Sequence, residues 1–371
     1  MKLKFSQEQI DIVRKWSQFD SAWYRHEYPD VKISTMDPAY HYLWLGQRIG
    51  RRPSANFDAF TGRALKPDEL LNLIKGHPVK TGYERIKFEV DYRRVHGKHA
   101  HADLINLGEA ENAPKSQSIA IQVHVYYANL IEEIAISLNR MPVKFDLYIS
   151  VPDESTRQEA LVGFSRIAKL DRVDVRIVPN RGRDIAPFVV EFGPLLATYD
   201  VVAHLHTKKS LYNKGATDGW RQYIIDGLFP SKKRINYILN ELKDSRYGII
   251  YPQSFYNLPY MAHTWLANKG VAQAWSSRFG LKNIPDNYFD FPAGSMFWAR
   301  TDAILPILSA DLEWEDFPLE EGQTDGTLAH CIERMFGVVA VSRNFKHGVI
   351  ADQGCPSPEN SPRVGGCGIT L

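Results

Sequence analysis

The stretch IAIQVHVYY (residues 119–127) is followed by NLIEEIAISLNRM (129–141) and KFDLYISV (144–151). The first and third are short apolar runs rich in β-branched residues, the pattern of buried strands. The second sets apolar residues at helical spacing with charges between them. The alternation continues with ESTRQEALVGFSRIA (154–168) as a helix, VDVRIVP (173–179) as a strand, 184–199 as a helix and VVAHLHT (201–207) as a strand. Strands separated by single helices pair in parallel through crossovers. The order therefore predicts an α/β fold, a Rossmann-type, mostly parallel sheet with helices on both faces. GIIYPQS (248–254), SMFWAR (295–300) and VVAVSR (338–343) read as further strands. In such sheets ligands bind beyond the carboxyl ends of the strands, which nominates the residues just after each one.

Upstream, residues 1–60 read as a small aromatic-rich helical module, FDSAWYRHEYPDV (19–31) and then DPAYHYLWLGQRIGRRPSANFD (37–58). Asp37-Pro38 starts a helix, since proline suits the first turn. Tyr40, Leu43 and Trp44 then fall at helical spacing, and Gly46 and Gly50 end it. Residues 61–117 read as a connecting segment, with a helix from Pro67 through about Ile74. Within it, VHGKHAHAD (95–103) holds His96, His99, His101 and Asp103 at a spacing that fits no metal motif and reads as a solvated loop. The α/β domain runs from 118 to 350. Residues 351–371, rich in Pro, Gly and Ser, read as a tail.

A net charge of +2 lacks the basic excess of a nucleic-acid protein. Three cysteines, Cys331, Cys355 and Cys367, make neither a disulfide framework nor a zinc site, and their scarcity suits a reducing compartment. The start, MKLKFSQEQIDIVRKW, has no apolar core and does not read as a signal peptide. No run of about 18 apolar residues exists to span a bilayer. These features predict a cytoplasmic protein, with attachment to a membrane surface left open.

No P-loop, GxGxxG, HExxH, CxxC or GxSxG motif is present. The candidates lie at strand ends. His124 and Tyr126 close the first strand and offer imidazole and aromatic groups to a base or sugar, or else pack. Asn180, Arg181, Arg183 and Asp184 surround Gly182 before a predicted helix. They read as a plain capped turn, or as an anion site that adds planar arginine donors to helix N–H groups. His204 and His206 alternate onto one face of the fourth strand. His206, Lys208 and Lys209 read as a cationic cradle for a pyrophosphate, or as a solvated loop. Asp325, behind Glu320 and Glu321, caps the next helix or acts as a general base. Glu333 and Arg334 within that helix read as structural, as does His347. Gly294 lets a backbone approach a ligand, while Phe297 and Trp298 line an acceptor sugar site or pack as a buried strand.

Together, NRGRDIAPF (180–188), YDVVAHLHTKKS (199–210), WRQYIIDGLF (220–229), FPAGSMFWAR (291–300) and QTDGTLAHCIERMFG (323–337) resemble the rhamnan synthesis protein F family of bacterial rhamnosyltransferases. The N-terminal module also resembles a unit found beside polysaccharide glycosyltransferase domains. The resemblance covers roughly residues 118–350. It implies a GT-A-like nucleotide-binding fold and transfer of L-rhamnose from dTDP-rhamnose, with inversion, onto a surface polysaccharide or O-antigen glycan. A lipid-linked acceptor and peripheral attachment to the inner membrane face fit this role. Where many GT-A enzymes carry a metal-holding Asp-x-Asp, this sequence reads His206-Thr207-Lys208. The expectation is therefore metal-independent transfer without a cofactor, with lysine charge neutralising the departing diphosphate. Asp325 lies where inverting GT-A enzymes place the base. The alternative is a non-catalytic nucleotide-sugar or glycan-binding module of a polysaccharide assembly complex.

Overall fold

The β-branched runs do assemble into one sheet. A computed structural model describes residues 5–28, 31, 36–49, 51–56, 67–76, 101–207, 219–244, 246–254, 263–285, 289–320 and 325–351. The N-terminal part contains α1 (Gln7–Arg14), α2 (Ser21–Glu27), α3 (Pro38–Trp44) and α4 (Pro67–Ile74). Asp37 caps α3 by accepting from the Tyr40 N–H at 3.0 Å, as the Asp-Pro signal predicts. These helices share a core of their own, with Tyr24, Tyr42, Leu43 and Leu70 fully buried. Helix α4, expected in a connecting segment, belongs to this core because Leu70 and Leu71 face it.

Among the described residues the eight strands are β1 (Ala102–Ile105), β2 (Ile119–His124), β3 (Phe145–Val151), β4 (Leu170–Ile177), β5 (Val201–His206), β6 (Tyr247–Pro252), β7 (Phe297–Arg300) and β8 (Lys346–Ile350). They lie in the order β1-β8-β6-β7-β5-β2-β3-β4. Every pairing is parallel except those of β7, which runs antiparallel to both β5 and β6. This is the Rossmann-like, mostly parallel arrangement that the sequence predicts, and it agrees with a GT-A-like fold. Strand β1 was not expected, since ADLI is too short and mixed to stand out from a polar segment.

Alternate side chains of the central strands enter two separate cores. One face packs Ile121, Val123, Ala203, Leu205 and Trp298 against α5 (Ile131–Leu138), α6 (Glu154–Phe164), α8 (Trp220–Leu228) and α9 (Lys232–Asp244). The other packs Ala120, Val202, Phe297 and Ala299 against Phe188, Phe192, α10 (Lys269–Trp275), α11 (Thr301–Leu308) and α12 (Leu328–Ser342).

Two local expectations are corrected. VVAVSR is not a strand; it is the last part of α12, where Val339 and Ala340 are fully buried. A helix buried along most of its length loses the amphipathic period that separates it from a strand, and valine composition then misleads. Residues 184–199 are not one α-helix. Pro187–Glu191 forms a π-type turn closed by the Phe192 N–H on the Pro187 carbonyl at 3.2 Å, and a short α7 (Gly193–Leu196) follows. Pro194 has no N–H to continue an α pattern.

Candidate active site

From β2 the chain moves outward to β3 and β4 and returns to β5 on the other side of β2. In open α/β sheets such a reversal, beyond the carboxyl ends of β2 and β5, is the usual ligand position. His124 and His206 end these strands and pair directly in register.

Thr207 ties the two ends together. Its N–H donates to the His124 carbonyl at 3.0 Å. Its buried Oγ1 accepts from the Tyr126 and Tyr127 N–H groups at 2.8 and 2.9 Å. The loop after β2 is thus fixed from β5, and it displays Tyr126 to solvent in edge contact with Tyr127 at 5.0 Å. On the same face, Ser150 Oγ lies 2.9 Å from His124 Nδ1 and accepts from Gln122 Nε2 at 3.0 Å. Thr207 and Ser150 were not singled out in the sequence, where a lone hydroxyl in a strand carries no signal.

His204 and His206 both reach the loop that feeds β7. Because β7 runs in reverse, its amino end lies at the carboxyl edge of its neighbours. Gly294 and Ser295 therefore lie at this edge of the sheet, with φ +91° and +58°. His204 Nδ1 donates to the Ser295 carbonyl at 2.6 Å, and His206 Nε2 to the Gly294 carbonyl at 2.7 Å. Burial pushes the His204 pKa down to about 4, against the pull of the Asp184 carboxylate. His206 and Gly294, both expected site residues, are thus brought together. Lys208 and Lys209 lie outside the described residues.

The Arg181–Asp184 turn is built differently from the expectation. Gly182 (φ +62°) and Arg183 (φ +57°) are both left-handed. A Cβ on Gly182 would sit 2.5 Å from Ala186 and 2.6 Å from Phe317, so only glycine fits beneath this segment. Arg181 forms a bridge with Leu319 and lies 3.7 Å from Glu315, while Arg183 lies 3.5 Å from Glu320. The arginines meet carboxylates of the chain itself. The long helix whose N-terminus would attract an anion is replaced by the short π-type turn. Asn180 is exposed, and Asp184 is buried beside His204.

Asp325 stands just before α12. Its oxygens accept from the Ala267 N–H at 3.0 Å and Asn268 Nδ2 at 2.7 Å, and Asn268 in turn accepts from the Gly326 N–H at 3.1 Å. Arg334, almost fully buried, lies 3.8 Å from Asp325 and 3.9 Å from Glu333. Glu333 Oε1 accepts from the Gly294 N–H at 2.7 Å. A continuous polar line therefore runs from His206 through Gly294, Glu333 and Arg334 to Asp325. The middle of this line was not legible in the sequence, because the partners lie on elements far apart in the chain. Trp298, a candidate acceptor contact, is corrected: it is fully buried on the opposite face of the sheet, and its indole N–H donates to the Leu228 carbonyl at 3.1 Å. Phe297 is likewise fully buried. Cys331 is buried in α12, which pushes its thiol pKa up to about 12. His347 packs as a structural residue, with Tyr251 Oη and the Gly337 carbonyl each 2.9 Å from a ring nitrogen.

A sequence profile of the rhamnan synthesis protein F family matches residues 71–345, which spans the whole sheet up to the last turn before β8. The chain belongs to the rhamnan synthesis protein F family. Membership links it to rhamnan or related polysaccharide synthesis. Among curated proteins, this family member resembles the uncharacterized protein WxcX from two strains of Xanthomonas campestris pv. campestris. Each is 31% identical over 225 residues, covering 60% of this chain. The match spans only 31% of the length of those relatives. No helix among the described residues of this rhamnan synthesis protein F member is long and apolar enough to cross a membrane.

Proposed function

We propose that the chain is a glycosyltransferase that moves L-rhamnose from dTDP-rhamnose, with inversion, onto a growing surface polysaccharide or O-antigen glycan. The observation that carries this reading is the pairing of His124 and His206 at the reversal point of the sheet, beside the exposed Tyr126 and the half-buried Tyr127, both held by Thr207. Exposed aromatic edges and faces suit a nucleobase or sugar. Imidazole N–H groups at strand ends suit a diphosphate.

In this reading Tyr126 and His124 meet the base or sugar. His206, Lys208 and Lys209 meet the diphosphate without a metal or other cofactor. Arg181 and Arg183 join them by exchanging Glu315 and Glu320 for phosphate oxygens, a swap that bidentate guanidinium geometry favours. A carboxylate of the Asp325–Arg334–Glu333 group takes the acceptor proton. The reaction takes place in the cytoplasm, at the inner face of the membrane, on a lipid-linked glycan.

Calorimetric titration with a panel of nucleotide sugars, with chelator and with a divalent cation, tests the reading. Tight binding of dTDP-rhamnose in chelator is the expected result. Binding only with the cation keeps the transferase and removes the metal-free cradle. No binding of any donor favours a glycan-binding module of an assembly complex.

A further inference from the structure

We propose that Glu333, not Asp325, is the catalytic base of this site; the assignment rests on the transferase reading above. The two carboxylates flank Arg334 but are held in different ways. Asp325 has a hydrogen bond on each oxygen, both from the 267–268 segment, and fastens that segment to the start of α12. Among the described residues Glu333 accepts through Oε1 alone, from the Gly294 N–H at 2.7 Å; its side chain keeps 19% of its surface exposed, against 24% for Asp325, so the uncommitted oxygen, not exposure, separates the two. Among the described residues the nearest cation to Oε2 is Arg334 Nη1 at 3.9 Å, beyond hydrogen-bond reach. That oxygen is the one left to meet a substrate hydroxyl.

Position argues the same way. The peptide that donates to Glu333 belongs to Gly294, whose carbonyl accepts from His206. The carboxylate is therefore one residue away from the group that meets the diphosphate. Arg334 and Asp325 are positioning residues: they anchor the helix turn that carries Glu333. Arg334 is itself fixed by donation to the Thr264 and His330 carbonyls, both at 2.9 Å.

In the step, the acceptor oxygen bonds to the anomeric carbon as its hydroxyl proton passes to Glu333 Oε2. The bond from the anomeric carbon to the diphosphate oxygen breaks, and its electron pair leaves with dTDP. Azide does not need this proton transfer. It attacks the same carbon as an anion, and the same bond breaks without a base.

The test compares the parent chain, Glu333→Gln and Asp325→Asn. Donor binding is followed by calorimetry with dTDP-rhamnose. Release of dTDP is followed with water as acceptor and then with added azide. Glutamine keeps an oxygen for the Gly294 N–H, so Glu333→Gln is expected to bind donor within about threefold of the parent. Its release of dTDP to water falls about 100-fold or more, the usual scale of general-base catalysis. Azide restores release in Glu333→Gln and yields rhamnosyl azide, but restores nothing in Asp325→Asn. Release by Glu333→Gln within about threefold of the parent, or rescue of Asp325→Asn alone, overturns the assignment while the donor still binds. Failure of the parent chain to bind dTDP-rhamnose instead overturns the transferase reading, and the assignment with it.

Discussion

Thr207 Oγ1 accepts two backbone N–H groups, from Tyr126 and Tyr127. Valine has the same shape and no acceptor, so Thr207→Val leaves both donors without it. The cost is roughly 1–3 kcal/mol, the penalty of unmet part-buried donors. Donor binding is expected to weaken more than stability, because the loop that displays Tyr126 loses its anchor. Titration and melting of the same variant separate the two effects. His204 is a second residue with a measurable signature. Burial depresses its pKa to about 4, with Asp184 pulling it up and His206 pushing it down. An unfolded chain takes up the proton near pH ~6.5, so between these values the unfolded state holds more protons. Stability from this group is complete above about pH 6.5 and is lost as pH falls toward 4. The total is on the order of 3 kcal/mol. Urea midpoints at about pH 7 and about pH 4.5 should differ less in His204→Gln than in the parent. Equal losses in both would remove His204 from the acid response. At this scale the histidines were legible, because alternation in a strand fixes their face. Glu333 was not, since its significance depends on a peptide 39 residues earlier in the chain.

Element by element, the readable parts are those where one signal dominates. β2, β3 and β5 announce themselves by β-branched runs, and α3 by Asp37-Pro38. The π-type turn at Pro187–Glu191 and the helix at VVAVSR were misread because burial, not local pattern, decides them. The Arg181–Asp184 turn sits between these cases. Its position after a strand was plain, yet nothing local revealed that the 315–320 segment would close over it. Gly182→Ala tests that closure. A left-handed alanine costs about 1–2 kcal/mol and overpacking about 1–3 kcal/mol more, so a total loss on the order of 2–5 kcal/mol is expected by chemical unfolding. A loss under about 1 kcal/mol would mean that Phe317 moves aside freely. The same substitution should disturb donor binding through Arg181 and Arg183, which the turn carries.

At the scale of the molecule, the described buried residues of α1–α4 share no cluster with those of the sheet. A fragment beginning at residue 101 is therefore expected to melt cooperatively, with near-parent donor affinity. Collapse of that fragment to a non-cooperative melt would show that the aromatic module supports the sheet. The overall architecture was legible from strand–helix alternation; the edge at β1 was not, because its partner comes from the far end of the domain. Ala102–Ile105 pairs with His347–Ile350, and β8 lies between β1 and β6. During synthesis the first strand made must wait for the last. Some 240 residues leave the ribosome before β1 has anything to bond to, whereas β2 to β5 can associate once residue 206 emerges. A message truncated just before residue 346 would yield a chain with most of its core and an open sheet edge along β6. Such an edge is a template for pairing with other chains, so incomplete products of this gene should be found in aggregates.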